Sequence, residues 1–325
     1  MKSLTAMAAR DESVFFITAD LGYGVVEPFA ERFPRQFINV GVAEQNMTGV
    51  ATGLALEGRK VFTYSIANFP TLRCLEQIRN DACYHKANIN IVASGGGFSY
   101  GALGMTHHAT EDLGILRALP GVTIVAPGSA WEAGQATLAF AETDGVGYLR
   151  LDKTAAEDSG GDAFALGKAR VIREGKDLTL LCTGGILAEA LEAAEILAGQ
   201  GLAARVISFH TLKPLDIEQI VAAALETGGL LTIEEGNIYG GLGSAVAETC
   251  LEAGVNPGFF KRIGIKDVYS SIVGSQSYLR KHYGLDSQAI ADEAMNFTRR
   301  LHRIGLETTE TRISKVKADT SEAGV

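Results

Sequence analysis

Glu44 stands where the apolar run Phe37-Ile38-Asn39-Val40 gives way to a helix of small residues over 45–57. A carboxylate there has an ordinary explanation, since the helix macrodipole and the capping preference both favour an acid at a helix start. It also has a chemical one. Gly49 and Gly53, like Ala51 and Ala55, lie four apart, and small residues at that spacing let another backbone come close. An acid between an apolar run and such a helix is desolvated, and a desolvated carboxyl can hold a proton that it donates or shares. His107 and His108 are a second candidate for proton transfer, because a loop histidine titrates near neutral pH. Being adjacent, they face opposite ways on a strand and about 100° apart on a helix, so they do not serve one point. Arg150 lies in the run Gly147-Tyr148-Leu149-Arg150-Leu151. Open α/β sheets bind ligands at the carboxyl ends of their strands, and a guanidinium fork matches an anion's oxygens. An ion pair with Asp152 or Glu111 would explain the same arginine.

These side chains need elements to position them. Strand-like runs at 14–19, 37–40, 60–64, 89–93, 123–126 and 148–151 alternate with helical stretches at 27–33, 43–57, 71–85, 111–118 and 130–142. Ile89-Asn90-Ile91-Val92 and Thr179-Leu180-Leu181-Cys182 are short and apolar, as strands buried on both faces are. A polar stretch at 154–167 reads as a linker. A second alternating block follows at 178–182, 188–198, 205–209, 217–225, 230–233, 244–251 and 261–265, with a last helix over 288–301. The pattern predicts an α/β protein of two open domains with mostly parallel sheets. The divisions fall at 1–153, a linker 154–167, a second domain 168–305 and a polar tail 306–325.

Composition narrows the class. The chain has 325 residues, enough for two ordinary domains, and its formal net charge of -9 argues against nucleic acid as a partner. Four scattered cysteines form no CxxC pair, so neither a zinc nor a redox motif is indicated. Cys182 reads as a small core residue. No secretory segment and no apolar run of membrane-spanning length occurs, so a cytoplasmic protein without a membrane partner is expected. The Rossmann spacing of glycines is absent.

The segment Gly41-Val42-Ala43-Glu44-Gln45 resembles the pyrimidine-binding domain of the transketolase family of thiamine diphosphate enzymes, which places a glutamate in a Gly-x-x-Glu-(Gln/His) context at a helix start. The likeness continues through Thr106-His107-His108-Ala109-Thr110-Glu111, similar to the family's Thr-His-Gln-x-x-Glu. It extends through the run from Leu116 to Pro127, then Ile233-Glu234-Glu235-Gly236 and Gly240-Gly241-Leu242-Gly243-Ser244-Ala245. These matches are collinear and reach about Leu301.

The resemblance implies thiamine diphosphate as cofactor and assigns roles. Glu44 would hydrogen-bond the aminopyrimidine N1' and drive the tautomer whose 4'-imino group takes the C2 proton. Phe69 would stack on that ring, with Ile66 sharing the apolar wall, and Asp20 would lie near the thiazolium. His107 would face the donor's carbonyl-derived oxygen, and Arg150 would grip a sugar phosphate. Leu103 departs from the pattern: it replaces an aspartate that reads a substrate hydroxyl in many sugar transketolases, and it cannot hydrogen-bond. Glu234, Glu235 and the 240–245 loop look structural, with Gly241 and Gly243 allowing a tight strand-to-helix turn.

The family's Gly-Asp-Gly…Asn signature for metal and diphosphate is missing from the sequence. The chain then resembles the second and third domains alone, with no metal ligands of its own. An N-terminal transketolase subunit would hold Mg2+ and the diphosphate, and two copies would meet through the Gly49/Gly53 face in a heterotetramer. The implied reaction is transfer of a two-carbon ketol unit between sugar phosphates or related sugars. A subunit resembling deoxyxylulose-phosphate synthase or a 2-oxo acid dehydrogenase β chain is the second enzyme reading. A scaffold or regulatory subunit is the non-enzyme one, and the joint presence of Glu44, His107 and Arg150 speaks against it.

Overall fold

The computed structural model describes residues 1–157, 160 and 163–298. The first half comprises α1 (Lys2–Ala8), β1 (Val14–Thr18), α2 (Glu27–Arg32), β2 (Phe37–Asn39), α3 (Glu44–Leu56), β3 (Lys60–Ile66), α4 (Leu75–Gln77), β4 (Ile89–Ser94), α5 (Asp112–Arg117), β5 (Val122–Val125), α6 (Ala130–Ala141) and β6 (Val146–Leu151). The second comprises β7 (Arg170–Arg173), β8 (Leu178–Thr183), α7 (Leu187–Gly199), β9 (Ala204–Ser208), β10 (Thr211–Lys213), α8 (Ile217–Glu226), β11 (Leu230–Asn237), α9 (Leu242–Glu252), β12 (Phe260–Ile265) and α10 (Gln276–His282). A further helix covers 287–298.

Two mostly parallel sheets result. The first has seven strands in the order β10-β5-β6-β4-β3-β1-β2, and the second has five in the order β12-β11-β8-β9-β7. Among the described residues only β10 and β7, each at a sheet edge, run antiparallel to their neighbours. The apolar runs explain the centres. β4 pairs with β3 on one side and β6 on the other, so Ile91 lies between Thr63 and Tyr148. β8 is buried along its whole length. Each Leu or Ile fully enclosed there contributes about 1.5–3 kcal/mol relative to exposure. Cys182 is enclosed in this strand, and burial pushes its thiol pKa up, as suits a core residue. Ser129 caps α6 by accepting from Glu132 N at 3.1 Å, and Asp216 caps α8 by accepting from Gln219 N at 3.2 Å.

Three features differ from the sequence expectation. The helix expected over 71–85 is broken into turns, the single turn α4 and a π-helix over Ile78–Cys83. Thr71 Oγ1 donates to the Ala67 carbonyl and Cys74 Sγ to the Phe69 carbonyl, and such local bonds compete with a regular helix. The short strand β10 follows the linker in sequence yet completes the first sheet, pairing Thr211 with Val125. The two halves consequently share a core, in which Ile124, Phe209, Leu212 and Ile220 belong to one cluster. The described linker residues are packed as well: Ala156 N donates to the Gly128 carbonyl at 2.9 Å, and the Phe164 ring stacks on His210 at 4.3 Å. Ser159, Gly161, Asp162, the end of the last predicted helix and the 306–325 tail lie outside the described residues. Among the described residues no helix is long and apolar enough to cross a membrane.

Candidate active site

Glu44 opens α3 with its side chain only 2% exposed, and Arg73 Nη1 meets its Oε2 at 2.6 Å. The turn that replaces the start of the expected helix is what carries Arg73 to this point. The same guanidinium lies over the Phe69 ring, 4.4 Å from its centroid. Phe69 in turn meets His107 edge-on, with ring centroids 5.4 Å apart. Three residues singled out from sequence are thus brought together, and Arg73 joins them.

His107 ends a short 3-10 turn over Met105–His107, its Nδ1 3.0 Å from Thr106 Oγ1. Asn68 ties this turn to the end of β3: its amide donates to the carbonyls of Thr106 and His108. His108 points the other way, into the protein, with Nε2 3.4 Å from the Gly101 carbonyl and its edge against Phe98. Burial lowers its pKa, which suits a neutral core imidazole. A cavity of about 450 Å³ opens beside these groups. Phe69, Arg73, Thr106 and His108 line one side of it, and Val268 and Tyr269, from the loop after β12, line the other.

The remaining expected residues are more dispersed. Ile66 ends β3 and is half-buried. Asp20 follows β1 with φ 56°, exposed, accepting from Asn39 Nδ2 at 3.1 Å while its own N–H donates to Asn39 Oδ1. Leu103 ends a 3-10 turn over Gly101–Leu103, is 55% exposed, and does not line the cavity.

Arg150, expected to grip a sugar phosphate, is enclosed: its side chain is 0% exposed. Nη2 donates to the carbonyls of Ala109 at 3.1 Å and Glu235 at 2.7 Å, and Nε stands 3.4 Å from Asp112 Oδ2. Tyr148 Oη donates to the same carboxylate oxygen at 2.5 Å. Burial opposes the Arg150 charge, but Asp112 and Asp152 outweigh it and hold the guanidinium protonated. Its ion-pair partner is Asp112, where the sequence suggested Asp152 or Glu111. The accessible cation past this strand end is Lys153, whose Nζ lies 3.7 Å from the Tyr100 ring centroid.

This arginine belongs to a seam between the two halves. Glu235, at the end of β11, accepts from Phe98 N at 2.6 Å, from Gln276 Nε2 at 2.9 Å and from Arg280 Nε at 2.6 Å. Gly97 has φ +57°, and a Cβ there would meet the Glu235 side chain at 2.6 Å, so glycine is required for the closure. Glu234 faces the other way and accepts from Leu242 N and Gly243 N at the start of α9. The turn before α9 places its positive φ at Gly240, while Gly241 is needed for space, since Glu234 fills the position of its Cβ.

A buried carboxyl beside an aromatic face fits a flat heteroaromatic ring whose nitrogen shares one proton with it, so Glu44 and Phe69 fit an aminopyrimidine. Among the described residues no group of three or more His, Cys, Asp or Glu side chains is arranged to hold a metal ion. Sequence reasoning did not find Arg73, Asn68 or the Val268–Tyr269 wall. The available signals were weak: a lone arginine within a run that reads as helix, and a loop more than 150 residues away from the turn that it faces.

Comparison with known proteins matches both halves of the chain. The sequence matches the pyrimidine binding domain of transketolase over residues 1–158 and the transketolase C-terminal domain over 167–290. It is 40% identical over 301 residues to the 6-deoxy-6-sulfo-D-fructose transketolase subunit SqwH of Clostridium sp. (strain MSTE9), covering 91% of this chain and 92% of that protein. It is 36% identical to an apulose-4-phosphate transketolase subunit of Phocaeicola vulgatus, covering 92% of this chain and 96% of that protein. A solved structure described as a split gene transketolase, inactive beta4 tetramer, superimposes with a TM-score of 0.82 at 35% identity, covering 91% of this chain and 95% of that one. With both domains matched in order and relatives of this length at 36% and 40% identity, this chain belongs to the transketolase family.

Proposed function

We propose that this chain is the pyrimidine-binding and C-terminal half of a two-subunit transketolase, moving a two-carbon ketol unit between sugars. The observation that carries the reading is the run of contacts from Glu44 through Arg73 and Phe69 to His107, with Phe69 and Arg73 lining an open cavity. Thiamine diphosphate, when bound, supplies a ring carbon that becomes nucleophilic toward a ketose carbonyl. Glu44 accepts the hydrogen of the ring nitrogen and holds the tautomer that chemistry needs. Phe69 and Ile66 present the apolar wall for the ring, and such stacking is worth about 0.5–1.5 kcal/mol beyond burial. His107 presents its imidazole edge to the substrate oxygen, held in place by Thr106 and the Phe69 ring. Asp20, just after β1, would face the thiazolium of the bound cofactor. Leu103 offers no hydrogen bond, so the hydroxyl that an aspartate would read goes unread.

The partner is an N-terminal transketolase subunit that holds Mg2+ and the diphosphate, and the assembly works in the cytoplasm. In support, the related proteins are themselves named as subunits, and the four cysteines here are unpaired. Two copies of this chain meet through α3, where nothing lies within 4 Å of the Cβ positions of Gly49 or Gly53. Both relatives are named for anionic sugars, a sulfonate and a phosphate, so an anionic ketose is the first substrate class to test. The test is reconstitution with the transketolase N-terminal subunit from the same genome, followed by a screen of sulfo-, phospho- and neutral ketose donors with aldose acceptors. Ketol transfer confirms the reading, and release of carbon dioxide from a 2-oxo acid in its place refutes it.

A further inference from the structure

The two surfaces that an aminopyrimidine would use are both taken by one side chain. Arg73 Nη1 bonds the Glu44 carboxylate at 2.6 Å, and its guanidinium covers the Phe69 ring at 4.4 Å. A guanidinium is planar, cationic and rich in N–H donors, so it satisfies a carboxylate and an aromatic face together. We infer that Arg73 is a positioning residue that stands in for the cofactor ring in the free subunit, keeping the Glu44 carboxyl bonded and aimed until the cofactor displaces it. The inference rests on the reading of Glu44 as the cofactor's carboxylate.

The asymmetry of exposure makes the exchange physically reasonable. Glu44 is 2% exposed, and a carboxylate so enclosed is costly without a partner. Arg73 is 46% exposed and hydrates readily on release. Its long side chain springs from the turn between β3 and α4, where the Arg73 carbonyl accepts from Gln45 Nε2 at 3.2 Å. That bond holds the backbone in place while the half-exposed guanidinium exchanges Glu44 for water. The incoming ring nitrogen takes the place of Nη1 at Oε2 and shares one proton with the carboxyl. Solvent supplies that proton as the guanidinium leaves, so the carboxyl is not left unpaired. A merely structural arginine would lose cofactor affinity when removed. A stand-in gains it.

The test is calorimetric titration of thiamine diphosphate into the reconstituted complex, with magnesium, for wild type and for Arg73→Ala, Arg73→Gln and Arg73→Lys. Affinity should rise about tenfold for Arg73→Ala, which is the order expected when one competing charge-assisted hydrogen bond is removed. It should rise less for Arg73→Gln and least for Arg73→Lys, which keeps the charge but not the planar fork. Thermal unfolding of the isolated subunit should move the opposite way, with Arg73→Ala the least stable. Unchanged or weaker cofactor binding in all three variants would overturn the inference. Glu44→Gln in the same titration separates the two readings. If that variant exchanges the cofactor C2 proton at the wild-type rate, the Glu44 assignment itself fails. If exchange is lost while the Arg73 variants gain no affinity, only the stand-in fails.

Discussion

Two sets of acids and arginines lie beside the first sheet, and they differ in access to solvent. In the cleft, enclosed Glu44 is matched by an arginine that is nearly half exposed. In the seam, Arg150 with Asp112 and Arg280 with Glu235 are all almost wholly enclosed. The residue types are the same in kind, an acid against a guanidinium. What separates them is that one member of the cleft pair can leave for water at little cost, whereas neither member of a seam pair can. A pair with an exposed partner can be exchanged for a ligand. A pair enclosed on both sides fixes geometry, and removing one member leaves an uncompensated charge in the interior.

The cleft should respond in catalysis and the seam in stability, and the largest contrast comes from Glu44. Glu44→Gln keeps the shape and removes the acid. The C2 proton exchange of bound cofactor in the reconstituted complex should fall by about 10²–10⁴-fold, the range of a positioned acid–base group, with unfolding of the isolated chain little changed. Exchange at the wild-type rate, followed by NMR in deuterated water, would erase the distinction between the two sets.

Arg150→Met should show the reverse. It strands Asp112 in the interior, so stability measured by urea unfolding should drop by about 3–5 kcal/mol. Activity per folded molecule should fall equally for anionic and neutral sugars if the enclosed guanidinium serves only Asp112 and the Ala109 and Glu235 carbonyls. A rise in KM confined to anionic donors would return Arg150 to the substrate site.

The closed side also carries a pH signature. His210 is buried against Phe164, with Nδ1 2.9 Å from Thr211 Oγ1. Burial first, and the Arg170 charge second, lower its pKa from 6.5 to about 4. The unfolded chain therefore takes up this proton near pH 6.5, and the folded chain does so only near 4. The stability contribution is complete above 6.5, falls as the pH drops toward 4, and then levels off, a total of about 3 kcal/mol. Urea unfolding over that range should show the slope, and His210→Gln should flatten it. An unchanged slope in the variant would assign the effect to other groups.

The sequence carried the sheets well because their signal is local. Val61, Ile91 and Leu180 sit in apolar runs whose length alone marks buried parallel strands. Glu44, Phe69 and His107 were singled out through the family resemblance, and the structure links them in one run of contacts through Arg73. Arg73 was not, because its role depends on a helix that fails to form, and the bonds that break it come from Thr71 and Cys74. Arg150 was legible as a strand-end cation but not as an enclosed one. What covers it is Glu235, reached through a glycine turn at Gly97, and no window around Arg150 contains that contact. β10 was missed for a similar reason: three residues give no periodicity, and their partner strand lies on the far side of the linker.

The smallest expected effect tests whether the open side of the molecule is open in solution. Gly49 and Gly53 lie on the exposed face of α3, and a Cβ at either would meet nothing within 4 Å. Within this chain alanine is therefore free of clashes. Each Gly49→Ala or Gly53→Ala change should stabilise the isolated chain by about 0.5–1 kcal/mol, because glycine costs that much in a helix interior. Glycine at both positions has a reason only if something else comes close. A second subunit packed on this stripe would meet the new methyl groups directly, so the same substitutions should weaken self-association while the monomer gains stability. Unfolding measures the first effect and sedimentation the second, and opposite signs are the expected result. If stability and association both rise, the stripe faces water in the assembly, and the contact between copies lies elsewhere than on α3.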